Sequence, residues 1–143
     1  MANQPSNLIN YMALDIGEKR VGVALANSFA RIANPLTTIE NTEQLAVNIQ
    51  QLMNEHDVSV LIAGVPRGLD GQDTAQTAFT IGVIQDLEAK LGQTIVQCDE
   101  AGTSHLAESA LLRHGKPYEK SDIDAWAARY ILEDYMQSLG VNT

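Results

Sequence analysis

The chain holds one cysteine, Cys98, in 143 residues. A lone thiol excludes an internal disulfide and a cysteine-rich zinc site, and it fits a reducing compartment. Its place in "TIVQCDE", Thr94 to Glu100, predicts a strand thiol rather than a nucleophile. Long apolar runs are missing too. None approaches the roughly 20 residues of a membrane span, and the opening "MANQPSNLIN" has neither a basic leader nor the continuous apolar core of a secretory signal. A cytoplasmic location without membrane contact is therefore expected. No repeat, low-complexity segment or linker divides the chain, so one core is expected. Basic residues are scarce: nine Lys and Arg against eighteen Asp and Glu give a net charge of −9. Such a chain repels phosphate backbones unless metal ions or a local basic patch reverse the field.

Residues 1–8 are polar and uncapped and read as a flexible tail, leaving 9–139 as a single domain. "INYMALDIG" and "RVGVALA" are strand-like runs joined by a tight turn, a β-hairpin in which Gly17 and Gly22 permit close backbone approach or positive φ. A third strand is expected within Arg31–Glu40, where Pro35 confines it to an edge or a strand end. Asn41 and Gln44 have the spacing of a capping box. Leu45, Ile49, Leu52 and Met53 then mark one face of a first helix. "VSVLIAGVP" reads as a strand buried on both faces, as in a parallel arrangement covered by helices. A second helix is expected from Asp73 to Leu91, closed by Gly92, then the strand "TIVQCDE". A third helix is expected within Thr103–Gly115, and a last one from near Ser121, with Ile123, Trp126, Ala127, Tyr130 and Ile131 on its core stripe. Three strands joined by short turns, followed by helix-linked strands, describe an α/β layer fold with a mixed sheet.

In "LDIGEKRVGVAL", Asp15 ends an apolar strand. A carboxylate there must find donors, bind a cation or bear desolvation. Asp99 and Glu100 end the last strand, and Asp124 lies in the first turn of the final helix, where Ala127 and Ala128 allow close packing. Adjacent strand ends can bring Asp15, Glu100 and Asp124 into one site. Three carboxylates so placed require cations or raised pKa values, and Mg²⁺ suits an all-oxygen donor set. Two such ions serve phosphodiester hydrolysis. The alternatives remain open residue by residue: Asp15 as a turn anchor, Asp124 as a partner of the helix dipole, Asp99 and Glu100 as a solvated strand end.

The motifs resemble one family in order. "ALDIGEKRVGVAL" resembles the Asp-x-Gly-x-Lys-Arg-x-Gly-x-Ala opening of the YqgF family, also called RuvX, the Holliday-junction-resolvase or pre-16S rRNA nuclease family. "ANPLTTI", "LIAGVPRGLDG", "DEAGTS" and "DIDAWAARYILEDYM" continue the resemblance from about Leu8 to Met136. It implies an RNase H-like fold with a five-stranded mixed sheet and helices on both faces. It also implies a metal-dependent endonuclease in which Asp15, Glu100 and Asp124 bind Mg²⁺ or Mn²⁺, acting in 5′-end maturation of 16S rRNA precursor or in junction cleavage. The sequence departs from the family where Ala101 and Gly102 stand in place of an arginine and an apolar residue. That arginine would contact phosphate beside the metals, so its loss bears on substrate affinity; Arg67 or Arg113 could supply a replacement charge.

The remaining basic residues suggest a rim around the carboxylates: Lys19 and Arg20 in the hairpin turn, Arg67 after the fourth strand, Arg113, Lys116 and Lys120 before the last helix. Ordinary solvated charges are the alternative reading of each. Thr103 caps a helix or touches the scissile phosphate; His105 has a surface or helix-terminal role as its ordinary reading, with proton transfer in the turn after Glu100 as the alternative. A nucleic acid is thus the expected partner, RNA favoured over branched DNA, with the protein a monomer or homodimer. Two other classes compete with the nuclease. One is a non-catalytic nucleic-acid or ribosome-assembly binding module. The other is a small phosphotransferase, for which the chain lacks the second domain that would close over ATP.

Overall fold

A computed structural model describes residues 8–68, 70–100 and 120–140, with side chains in the last segment described over 123–139. The segment 1–7 of the expected tail, the expected helix within Thr103–Gly115, and Ala101, Gly102, Thr103, His105, Arg113 and Lys116 lie outside the described residues.

Strands β1 (Asn10–Ile16), β2 (Arg20–Asn27) and β3 (Asn34–Glu40) are followed by α1 (Leu45–Glu55), β4 (Val60–Pro66), α2 (Ala75–Leu91), β5 (Ile95–Glu100) and α3 (Lys120–Gly140). The five strands form one mixed sheet in the order β3-β2-β1-β4-β5. β1 pairs antiparallel with β2 and parallel with β4, and β4 pairs parallel with β5. This is the five-stranded mixed sheet of an RNase H-like fold, with the first three strands antiparallel as expected. Pro35 sits on edge strand β3, next to a register shift opposite Val23 and Ala24. An edge accommodates its missing N–H.

Strand alternation divides the core in two. Met12, Leu14 and Ile16 of β1, with Leu61, Ala63 and Val65 of β4, pack beneath Leu45, Ile49 and Met53 of α1 and Ile84 and Leu87 of α2. Tyr11 and Ala13 turn to the opposite face, where Ala24, Ala26, Ala33 and Ile62 meet Ala128, Ile131, Leu132 and Met136 of α3. Alanines dominate that second interface, so α3 can lie close to the sheet. By the same alternation Asp15, one residue past Leu14, points to the α3 side.

Two local expectations are corrected by the structure. No capping box forms at Asn41 and Gln44: α1 starts at Leu45, and Gln44 makes no side-chain cap bond. Thr42 Oγ1 accepts from the Gln44 amide instead, 3.1 Å. The box belongs to α2, where Thr74 and Thr77 satisfy each other's backbone N–H and Thr77 Oγ1 also donates to the Pro66 carbonyl. The helix begins at Ala75, close to the expected start near Asp73, and it is pinned to the end of β4. On α3 the fully buried residues are Ala127, Ala128, Ile131 and Leu132, while Trp126 and Tyr130 are only half-buried. Both rings flank the Arg129 guanidinium, at 4.9 and 5.6 Å from their centroids. Arg129 Nε in turn donates to the Ala33 carbonyl, so these rings belong to the margin of the core.

Candidate metal-dependent nuclease site

The C-terminal ends of β1, β4 and β5 lie side by side. Asp15 is level with Gly22 of β2, and the register of β1 with β4 carries it opposite Gly64, which itself pairs with Cys98. Glu100 is two residues further along β5, opposite Pro66. Val96 and Cys98 pack into the α3-side core, so alternation puts Glu100 on that side as well. The sheet thus presents Asp15 and Glu100 toward α3 at one end.

Two glycines make this end accessible. A β-carbon on Gly22 would fall 1.9 Å from the Asp124 carbonyl oxygen and 2.8 Å from the Ala125 amide nitrogen. The first turns of α3 therefore rest directly on the β2 backbone, which brings Asp124 to Asp15. A β-carbon on Gly64 would fall 2.5 Å from Ile131 Cδ1 and 3.4 Å from Glu100 Cγ. Glu100 therefore leans back over Gly64 toward Asp15. Neither glycine has positive φ, so close approach is the reason for both.

The hairpin turn is fixed from outside. The Gly17 amide donates to the Arg20 carbonyl (2.8 Å), and the Asn41 amide to the Lys19 carbonyl (2.9 Å). Asn41 Nδ2 donates to the Gly17 carbonyl, 2.8 Å. Asn41 is thus a brace for the turn beside the site, a role its capping-box spacing concealed.

Electrostatics single out Asp15. Burial, with the Asp124 charge adding to it, pushes its carboxyl up from the ordinary 3.8 to about 7. Arg20 Nε donates to Asp124 Oδ2 at 2.9 Å. Asp15, Asp124 and Arg20 form one charge cluster, and the all-oxygen donor set with an unfavourable carboxylate pair is chemistry that a divalent cation relieves. Glu100 shares the end and the face, but strand spacing leaves its backbone roughly 12 Å from that of Asp15. Among the described residues no group of three or more His, Cys, Asp and Glu side chains is closed tightly enough to hold an ion. The fold brings Asp15 and Asp124 together and leaves Glu100 adjacent.

The expected basic rim is sorted by its partners. Lys19 is exposed on the turn. Arg20 turns inward onto Asp124 rather than standing on the rim. Arg67 is held by Asp99, 3.1 Å from Nε to Oδ1, and by Asp73. Its amide donates to the Glu100 carbonyl, 2.9 Å, which extends the β4 to β5 ladder. With two acids already on its guanidinium it braces the loop after β4, and an unengaged replacement for the family arginine is not found there. Lys120 is the first residue of α3. Cys98 lies on β5 as expected of a strand thiol but is only half-buried, its thiol pushed up to about 11 by burial and by Glu100, Asp134 and Asp99.

Comparison with known proteins completes the description. Residues 9–138 match the family model described as "RuvX: Holliday junction resolvase". The chain is 35% identical over 130 residues to a protein of Sulfurihydrogenibium sp. (strain YO3AOP1) named "Putative pre-16S rRNA nuclease", covering 90% of each chain. It is 37% identical over 131 residues to one of the same name from Chloroflexus aurantiacus, covering 89% of this chain and 86% of the other. Among solved structures, fowlpox virus resolvase with Holliday junction DNA superposes with a TM-score of 0.56 at 12% identity, over 92% of this chain and 99% of that one. T. thermophilus RuvC in complex with a Holliday junction substrate gives 0.52 at 12% identity, over 92% and 96%. At that identity the structural likeness speaks for the fold.

Proposed function

The chain belongs to the RuvX family, and on that premise we propose that it is a metal-dependent endonuclease that hydrolyses phosphodiester bonds, acting on the 5′ end of a 16S rRNA precursor. One observation carries this reading. Asp15 and Asp124, from opposite ends of the sequence, are pressed together at the open ends of the parallel strands by the seat of α3 on Gly22. Such a pair is costly unless a cation or a proton neutralises it. The names of the relatives supply the substrate class.

Asp15 and Asp124 would hold the divalent ion, Mg²⁺ or Mn²⁺, with Glu100 reaching over Gly64 as the third carboxylate. The chemistry supplied by such ions is activation of a water for in-line attack and stabilisation of the leaving oxygen. The chain's own contribution is positional. The Asn41-braced turn fixes the end of β1, and α3 brings Asp124 as part of a long helix anchored by Ile131 and Leu132. Preorganised ligands of this kind lose little freedom when substrate arrives. Lys19 faces solvent beside the acids and attracts phosphate, answering locally the repulsion expected from a net charge of −9. Thr103, Lys116 and Lys120 extend this proposed substrate surface.

The deciding experiment offers a 16S rRNA 5′ precursor and a four-way DNA junction side by side, with Mg²⁺ or Mn²⁺, to wild type and Asp15→Asn. Metal-dependent cutting of the RNA that the variant loses is the expected result. Cutting of the junction alone would reassign the substrate to branched DNA. Silence on both with metal bound would leave a binding module.

A further inference from the structure

Arg20 belongs by sequence to the solvent-facing turn, yet its Nε is spent on Asp124 Oδ2 at 2.9 Å. Its side chain is 35% exposed and that of Asp124 22%, so the pair sits at the mouth of the acid cluster. Nε is one of five guanidinium donors. Among the described residues the other four have no partner. One edge of the guanidinium faces the acids, and the other meets no acceptor among the described residues.

The placement has an electrostatic consequence. Gly22 forces Asp124 against the β2 backbone beside Asp15 whether or not a cation is present, because the seat is made of backbone atoms. Once Asp15 has lost its proton, two carboxylates held together by packing need a positive charge in the metal-free chain, and Arg20, on the same hairpin as Asp15, is the residue that provides it.

We infer that Arg20 is a built-in counter-charge that occupies Asp124 in the metal-free protein, yields that carboxylate to a divalent cation, and then turns its guanidinium to a substrate phosphate. This inference rests on the nuclease reading for its last two steps, the exchange of Arg20 for a cation and the turn to phosphate. It makes Arg20 a positioning residue whose charge competes with the cation, in contrast to a rim residue that merely greets substrate or a support that helps Asp124 bind metal. The three roles differ in sign. Removing a competing charge tightens metal binding and still harms turnover. Removing a rim contact leaves metal binding unchanged, and removing a support weakens it.

The test compares wild type, Arg20→Lys, Arg20→Met, Asp15→Asn and the Arg20→Met/Asp15→Asn pair. Mn²⁺ affinity is measured by calorimetry and unfolding by urea in EDTA at pH 8. Arg20→Met is expected to bind Mn²⁺ about tenfold more tightly, the size of effect one partly solvated charge exerts at this range, while cleaving the RNA precursor more slowly. Arg20→Lys, which keeps the charge, is expected to bind Mn²⁺ like wild type. Unchanged or weaker Mn²⁺ binding by Arg20→Met would overturn the inference. In EDTA, Arg20→Met is expected to shift the unfolding constant about fivefold less when Asp15 is already asparagine, because the repulsion it exposes is then absent. Equal effects in both backgrounds would overturn it also. The EDTA arm needs neither metal nor substrate, so a wild type that binds no Mn²⁺ would defeat the nuclease reading while the fate of Arg20 was still decided.

Discussion

Substituting Gly22 with alanine tests the packing on which the acid pair depends. The new methyl would lie 1.9 Å from the Asp124 carbonyl oxygen, 2.2 Å from its carbon and 2.8 Å from the Ala125 nitrogen. All three are backbone atoms, so no rotamer change relieves the overlap. To regain ordinary contact near 3.4 Å, α3 and β2 must separate by about 1.5 Å, lifting a helix whose buried face is built from alanines, Ile131 and Leu132. Overpacking of a core costs about 1–3 kcal/mol, and a rigid backbone clash belongs at the upper end, about 3 kcal/mol. For a domain of this size that lowers Tm by about 6–12 °C. The displacement also carries Asp124 away from Asp15, so Mn²⁺ binding should weaken along with stability. Urea unfolding followed by circular dichroism, with Mn²⁺ calorimetry on the same samples, reads both quantities. Gly82→Ala is the matched control: a β-carbon there meets nothing within 4 Å inside α2, and it should gain about 0.5–1 kcal/mol. A Gly22→Ala protein as stable as wild type, with undiminished Mn²⁺ affinity, would refute the claim that the close seat of α3 builds the site.

Other consequences are equally direct. Asp15 ionises near 3.8 when exposed but holds its proton to about 7 in the folded chain. Between those values the native state carries a proton that the unfolded state has released, so stability of the metal-free protein should fall as pH rises through this window. The fall is at most about 4 kcal/mol. Asp15→Asn should abolish that slope, and urea midpoints in EDTA from pH 4 to 8 that rise or stay flat for wild type would contradict the account. Thr80 Oγ1 on α2 is buried and finds no hydrogen-bond partner among the described residues, so Thr80→Val should be neutral or stabilise by up to about 1 kcal/mol, and a clear loss in urea unfolding would mean that the hydroxyl is used. With its thiol raised from 9.0 to about 11, Cys98 should react with a disulfide reagent about a hundredfold more slowly in the native protein than in urea at pH 8; equal rates would place it at the surface.

Much of the fold was legible from alternation and periodicity because burial imposes them locally. The apolar run of β4 announced a central parallel strand, Pro35 announced an edge, and Gly92 closed α2 where a left-handed residue was needed, at φ 66°. Caps were less legible. Capping-type residues occur before both helices, Asn41 and Thr42 before α1 and Asp73 and Thr74 before α2, and the box forms where Thr77 Oγ1 also reaches the Pro66 carbonyl. The core stripe of α3 was misjudged for a related reason. Its period fits Trp126 and Tyr130 as well as their neighbours, but an alanine-lined sheet face accepts small residues at close range and leaves the large rings at the margin.

The sequence by itself determined which carboxylates end strands, that Asp15 stands at the end of an apolar β1, and that Gly22 on the next strand would permit close approach. These are properties of neighbours along the chain. Only the tertiary structure decided that Gly22 receives α3, that Asp124 rather than Glu100 presses on Asp15, that Asn41 braces the hairpin turn, and that Arg20 gives one guanidinium edge to Asp124. The contact of Arg20 with Asp124 joins residues 104 apart. The sign and strength of such contacts depend on distances that no local pattern encodes, because a charge acts through space on whatever the fold has placed beside it.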